Sequence, residues 1–161
     1  MNKLIMTLLL GLVANIVQAE LWTDDYKAAL ATAKAEKRFV LLNFSGSDWC
    51  GWCIRLEQEV FSQKAFADYA KTNLVCVVLD FPRKQPINEN IRAQNEALHE
   101  MYSAPFFPVF PSIVLLNPDG KAIARTGYQQ GGAEAYVTHL ESLLAPHRKP
   151  QASEPPPGAP N

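Results

Sequence analysis

The sequence predicts an α/β domain in three layers: a mixed central sheet, parallel at first and closing in a C-terminal antiparallel hairpin, flanked by helices. Two observations carry this. Segments of helical periodicity alternate with continuous apolar runs at 38–45 and 74–81, the pattern of strands covered on both faces. Near the C-terminus, Asn117-Pro118-Asp119-Gly120 separates two more apolar segments, which is turn chemistry between antiparallel strands.

With 161 residues, 48% of them hydrophobic, the chain suits a single compact domain. A net charge of −1 and scattered basic residues leave no electrostatic footprint for nucleic acid or an anionic membrane. Residues 1–19 have the pattern of a secretory signal: Lys3, an apolar stretch from Leu4 to Val17, and the small-residue cleavage pattern Val17-Gln18-Ala19. The stretch is shorter than the ~20 apolar residues of a spanning helix, so cleavage after Ala19 and export to a periplasmic or extracellular location are expected.

The elements follow in order. Thr23-Asp24-Asp25 provides a cap and acidic start for a helix through Lys37, with Tyr26, Ala29, Leu30 and Ala33 on one face. Arg38 to Ser45 forms a central strand. Gly46-Ser47-Asp48 is a turn in which Ser47 or Asp48 caps the next helix, which carries Ile54, Leu56, Val60 and Phe61 inward. A second helical stretch opens at Ser62 and closes at Asn73. Leu74 to Phe81 is a second buried strand, and this helix-strand order implies a right-handed crossover between parallel strands.

A polar loop from Pro82 leads to Asn88, which caps a helix to Tyr102 on Ile91, Asn95, Leu98 and Met101. The segment Pro105-Phe106-Phe107-Pro108-Val109-Phe110-Pro111 is too proline-rich for a regular element, and its apolar character suits either an apolar rim or loop packing. Ser112–Asn117 and Lys121–Thr126 make the hairpin, and Gly131-Gly132 precedes a last helix, Ala133–Ala145. The domain therefore covers 20–145, and the polar, proline-rich tail 146–161 is expected to be disordered.

Trp49-Cys50-Gly51-Trp52-Cys53 stands where the first strong strand gives way to a helix. Two thiols at this spacing can close and open a small disulfide ring by exchange. The first gains most from a helix start, where partial positive charge and free N–H groups stabilise a thiolate, so Cys50 is the candidate nucleophile. A structural staple is the competing reading in an oxidising compartment, although so short a loop removes little chain entropy. A metal site is a further alternative, but the motif is half a zinc knuckle without its second half, so no metal is expected. Cys76 is expected in the core, and His99 and His139 on the surface.

These elements in this order, with Trp-Cys-x-x-Cys after the first strong strand and Phe110-Pro111-Ser112 ahead of Ile113-Val114-Leu115-Leu116, resemble the thioredoxin superfamily over about residues 21–145. The stretch 25–81 is similar to exported members related to the soluble domain of the membrane thiol-disulfide interchange proteins. The resemblance implies a thioredoxin-like sandwich and a thiol-disulfide oxidoreductase of the protein-disulfide reductase or isomerase type. In it Cys50 is the exposed attacking thiol, Cys53 is the buried resolving thiol, and Pro111 is a cis-proline facing the disulfide. Trp49, Trp52, Phe110 and Pro111 then form the substrate-binding surface. The redox-active Cys50–Cys53 pair replaces any separate cofactor. Substrates are protein thiols or disulfides, a membrane or soluble redox partner recharges the enzyme, and a monomer is expected. A thioredoxin-fold binding or chaperone-like module without redox turnover is the alternative.

Three departures qualify the resemblance. Asn43 stands where thioredoxins carry a buried aspartate, and it cannot act as a base; the strand-to-motif turn is one residue longer. Trp52 replaces a proline, which suggests a less strongly reducing couple and leaves direction open. The third is the extra Pro105–Pro108 segment. Asp48, Glu57 and Glu59 lie nearby in sequence and are expected to serve as cap and solvated helix face.

Overall fold

The computed structural model describes residues 21–103 and 109–148. The expected signal, the Pro105–Pro108 segment and the tail from 149 lie outside these residues. A five-stranded sheet has the order β1-β3-β2-β4-β5. Its strands are β1 (Trp22–Thr23), β2 (Phe39–Ser45), β3 (Leu74–Asp80), β4 (Ser112–Leu116) and β5 (Ala122–Thr126). β1 and β2 run parallel to β3, whereas β4 is antiparallel to both β2 and β5. This is the mixed sheet expected from the sequence, with one addition: β1 is two residues long and too short to leave a periodic signal.

All seven residues of β2 are buried. Its alternating side chains divide the core into two layers, as the two-residue period of a strand requires. Phe39 and Leu41 join Leu56, Val60, Phe61, Phe66 and Tyr136 on one face. Val40, Leu42 and Phe44 join Ala29, Ala33, Leu79 and Leu98 on the other. At about 25 cal/mol per Å² of apolar area removed from water, this double coverage makes β2 a strongly specified element.

The helices are α1 (Tyr26–Glu36), α2 (Gly51–Leu56), α3 (Lys64–Asn73), α4 (Glu89–Tyr102) and α5 (Gly132–Leu144). α2 continues without a break as a π-helical turn, Glu57–Phe61. The Asp25 and Asn88 side chains cap α1 and α4, as expected. α3 starts two residues later than its sequence signal: Ser62 bonds Glu57 instead, and Gln63 occupies the cap position without a side-chain bond. Ile54 and Met101 are exposed at 38% and 61%, not packed in the core as their periodicity suggests. Past α5, Ala145–His147 forms a 3₁₀ turn, and Arg148 binds Glu141 and Asn73, so order extends slightly beyond the expected domain end. Among the described residues no helix is long and apolar enough to cross a membrane.

The strand directions decide where chemistry can occur. β2, β3 and β5 all end, and β4 begins, at one edge of the sheet, where Ser45 pairs with Asp80, Phe44 with Ser112 and Ile113 with Thr126. Four connections therefore converge at that edge: residues 46–50, 81–88, 109–111 and 127–131. At the opposite edge a cleft of about 440 Å³ is lined by Arg38, Lys71, Leu74 and Cys76. Cys76 is buried there, and burial pushes its thiol far above the ordinary range, so it is a core residue as expected.

Lys37 ends α1 in the left-handed conformation, with φ 56°. Lys37→Gly removes the Cβ penalty at that cap and is expected to stabilise the protein by about 0.5–1 kcal/mol, read as a higher denaturant midpoint at unchanged m-value.

Candidate active site

Cys50 and Cys53 are joined in a disulfide, with Cα atoms 5.2 Å apart, where the chain turns from β2 into α2. Neither Ser47 nor Asp48 caps that helix. Cys50 is itself the cap residue, and its Sγ accepts the Cys53 backbone N–H at 3.2 Å. The sulfur therefore occupies the position where an N-cap oxygen usually sits, facing the helix's unpaired amides. Both cysteines are buried, Cys50 to 6% and Cys53 to 5% exposure, so with the disulfide closed Cys50 is not the exposed thiol that the resemblance implies.

Ser47 and Asp48 do different work. Ser47 binds the Asp80 carboxylate through both its backbone N–H and its hydroxyl. Asp48 accepts backbone N–H groups from Arg83, Lys84 and Gln85 at 2.9, 2.6 and 3.1 Å. These bonds hold its carboxyl below the ordinary aspartate range, the Arg83 amide contributing most, against a smaller opposing effect of burial. Asp48 thus ties the loop after β3 to the cysteine turn.

That loop places the Arg83 guanidinium 3.7 Å from the centre of the Trp49 ring. The indole also donates through Nε1 to the Phe81 carbonyl at 2.7 Å and lies 5.9 Å from the Phe110 ring. Gly46 makes room for it, because a Cβ there would overlap the indole. Phe110 precedes Pro111, and the peptide between them is cis, the geometry the resemblance implies. Behind Phe110, the His99 ring meets Phe110, Phe81 and Phe44 at centroid distances of 5.4, 5.5 and 5.6 Å. Its Nε2 is buried without a partner among the described residues, and burial lowers its pKa against the pull of Glu100. His99 is therefore a packed aromatic wall, not the surface residue expected. His139 is also half-buried, with Nε2 2.8 Å from the Thr126 hydroxyl.

Trp52 lies apart from Trp49 and Phe110. It is 54% exposed, yet its ring packs 5.0 Å from Tyr128 on the loop after β5. The Arg55 guanidinium sits 5.5 Å from the Trp52 ring and 5.4 Å from the Tyr128 ring. Glu59 completes the group, accepting from Arg55 Nε at Oε1 and from the Tyr128 hydroxyl at Oε2, both at 2.6 Å. The Tyr128 bond and then Arg55 hold the Glu59 carboxyl below its ordinary range. Glu59 is therefore more than a solvated helix residue. Tyr128 and Arg83 carry no motif; the sequence signal closest to them is an aromatic and a base in loops that leave the same sheet edge.

Asn43 is buried on β2, and its Oδ1 has no partner among the described residues. An amide holds no proton to give or take at neutral pH, so this position supplies hydrogen-bonding capacity and no base. Among the described residues, no three His, Cys, Asp or Glu side chains are grouped as metal ligands would be.

A family model described as a thioredoxin-like domain matches residues 26–143. The chain is 35% identical over 129 residues to the disulfide bond reductase DsbH of Chlamydia pneumoniae, covering 80% of this chain and 76% of that protein. It is 31% identical over 157 residues to the thioredoxin-related protein DsbJ of the same organism, covering 88% of this chain and 44% of that protein. The solved structure of a DsbH oxidoreductase superposes with a TM-score of 0.71 at 34% identity, covering 77% of this chain and 83% of that one.

Two outcomes test the geometry. Gly46→Ala forces the Trp49 indole aside and is expected to cost about 1–3 kcal/mol of stability in chemical denaturation, with a shifted tryptophan emission. The Asp48 anchor depends on an ionised carboxylate with a lowered pKa, so its contribution is complete at neutral pH and lost only as pH falls through that lowered value. Protection of the Arg83, Lys84 and Gln85 amides in hydrogen exchange should persist near pH ~4, where an ordinary aspartate is half protonated, and disappear in Asp48→Ala.

Proposed function

Since the chain belongs to the thioredoxin-like domain family and is a thiol-disulfide oxidoreductase, we propose that it acts as an exported reductase of protein disulfides, with Cys50 attacking and Cys53 resolving. The observation that carries the assignment of roles is the Cys50 cap: its sulfur faces the helix amides and accepts the Cys53 N–H. The reductive direction rests on the likeness to a disulfide bond reductase. Export rests on the pattern of residues 1–19.

In this reading the Cys50 thiolate attacks one sulfur of a substrate disulfide. A mixed disulfide forms, the substrate S–S bond breaks, and the departing thiolate takes a proton. Cys53, deprotonated, then attacks Cys50 Sγ, closing the disulfide seen in the structure and releasing the second substrate thiolate. Two electrons and two protons pass to the substrate for each disulfide opened. The cycle needs a dithiol donor, and for an exported enzyme that donor is a membrane or soluble redox partner. The dithiol does the redox chemistry itself and requires no separate cofactor.

Holding the two thiols one helical turn apart makes the resolving step intramolecular, which accounts for its advantage over a second encounter. Asn43 leaves the Cys53 proton to solvent or to the departing substrate thiolate. Trp49, Phe110 and Pro111 supply one wall against which the substrate segment lies, and Trp52 supplies another, with the enzyme working as a monomer.

The mature protein is expected to accelerate insulin reduction by dithiothreitol, with that acceleration lost in Cys50→Ser. Cys53→Ser should retain a covalently trapped substrate on Cys50, seen as a mass increase that dithiothreitol reverses. Binding of unfolded chains with no acceleration would instead favour a binding module, and trapping at any cysteine other than Cys50 would contradict the order of attack.

A further inference from the structure

We propose that Trp52, held by Tyr128, Arg55 and Glu59, is a preformed recognition platform that selects disulfides flanked by a bulky apolar or aromatic residue. The inference rests on the oxidoreductase reading and adds the substrate feature that reading leaves open. The large apolar side chains exposed among the described residues are Trp52, Ile54, Val109 and Met101. Two of these four, Trp52 and Ile54, stand on either side of Cys53, and Val109 adjoins Phe110, whose ring lies 5.9 Å from that of Trp49. An exposed indole beside a reactive cysteine is a contact surface for an apolar partner.

The Trp52 indole is also unusually constrained for a side chain that is 54% exposed. One Glu59 carboxylate engages Arg55 with one oxygen and Tyr128 with the other. Arg55 in turn covers both rings, and the Tyr128 ring backs the indole. A side chain backed by such neighbours has less rotamer freedom to lose when it binds, so contact with a ligand is gained with less opposing entropy. Charge points to the same chemistry. Glu59 neutralises Arg55, so the platform presents aromatic surface without a net charge and gives no advantage to an acidic or basic flank. Tyr128 and Glu59 act through Trp52 and are positioning residues.

The test uses two disulfide-linked peptides identical except for the residue following the reactive cysteine, tryptophan in one and serine in the other, with dithiothreitol as reductant. The wild-type protein should favour the tryptophan peptide on the order of tenfold in kcat/KM, expressed mainly in KM. Taking the ratio within each variant cancels any change in the intrinsic reactivity of the dithiol. Trp52→Ser should bring the ratio close to one. Tyr128→Phe, which keeps the ring and loses the bond to Glu59, should give an intermediate ratio, as should Glu59→Gln, and Tyr128→Ala a lower one. Equal kcat/KM for the two peptides in the wild type, or a preference that survives Trp52→Ser, would overturn the platform while leaving the oxidoreductase reading intact. Reduction of neither peptide would overturn both.

Discussion

Burial of β2 on both faces is the constraint from which the rest of the structure follows. A strand with no exposed residue must have paired strands at both edges and a layer of side chains above and below. β3 and β4 provide the pairing; α2, α3 and α5 cover one face, and α1 and α4 the other. With β2 fixed so tightly, the turn leaving its C-terminal end has little freedom. The strand directions then bring the connections from β3, into β4 and from β5 to the same edge. Cys50 is thus placed by the core, while Arg83, Phe110 and Tyr128 reach the groups beside it from the connections of other strands.

This division explains what the sequence disclosed. The runs at 38–45 and 74–81, the Asp25 and Asn88 caps, and the Asn117–Gly120 turn are local signals, and each element appears within a few residues of its expected place. The cysteine motif and Pro111 were legible because they lie beside such elements. What was not legible depends on partners distant in the chain. β1 exists because Trp22 and Thr23 find Cys76 and Val77. Asp48 resembles a helix cap in sequence, yet three amides from 83–85 compete for its carboxylate and the helix cap falls to Cys50. Glu59 resembles a solvated residue, but Tyr128 reaches it across 69 residues. His99 has helix spacing suited to the surface and is packed only because Phe44, Phe81 and Phe110 converge on it.

The charged groups around the dithiol share one property: each is committed to a structural partner. Asp48 serves the 83–85 loop, Glu59 holds Arg55 and Tyr128, and Arg83 lies on Trp49. Both carboxyls sit below their ordinary ranges, so neither is poised to take up a proton near neutral pH. His99 is displaced in the other direction, towards the neutral form, with its Nε2 enclosed by rings. The immediate surroundings of the cysteines are therefore organised to hold shape and present aromatic surface.

This arrangement bears on how the resolving step proceeds. A buried carboxyl at position 43 would assist deprotonation of the second thiol but would also carry the desolvation cost of an ionisable group in the core. Asn43 avoids that cost and gives up the base. Cys53 is buried at the start of α2. In the proposed exchange, the substrate thiolate released by the first attack is the group that can take the Cys53 proton before the second attack. In that proposal a surface that keeps the substrate segment in register for longer favours completion of the exchange. Trp49, held by Arg83 and the Phe81 carbonyl, and Trp52, backed by Tyr128, meet that proposed requirement with aromatic surface that introduces no competing acid or base.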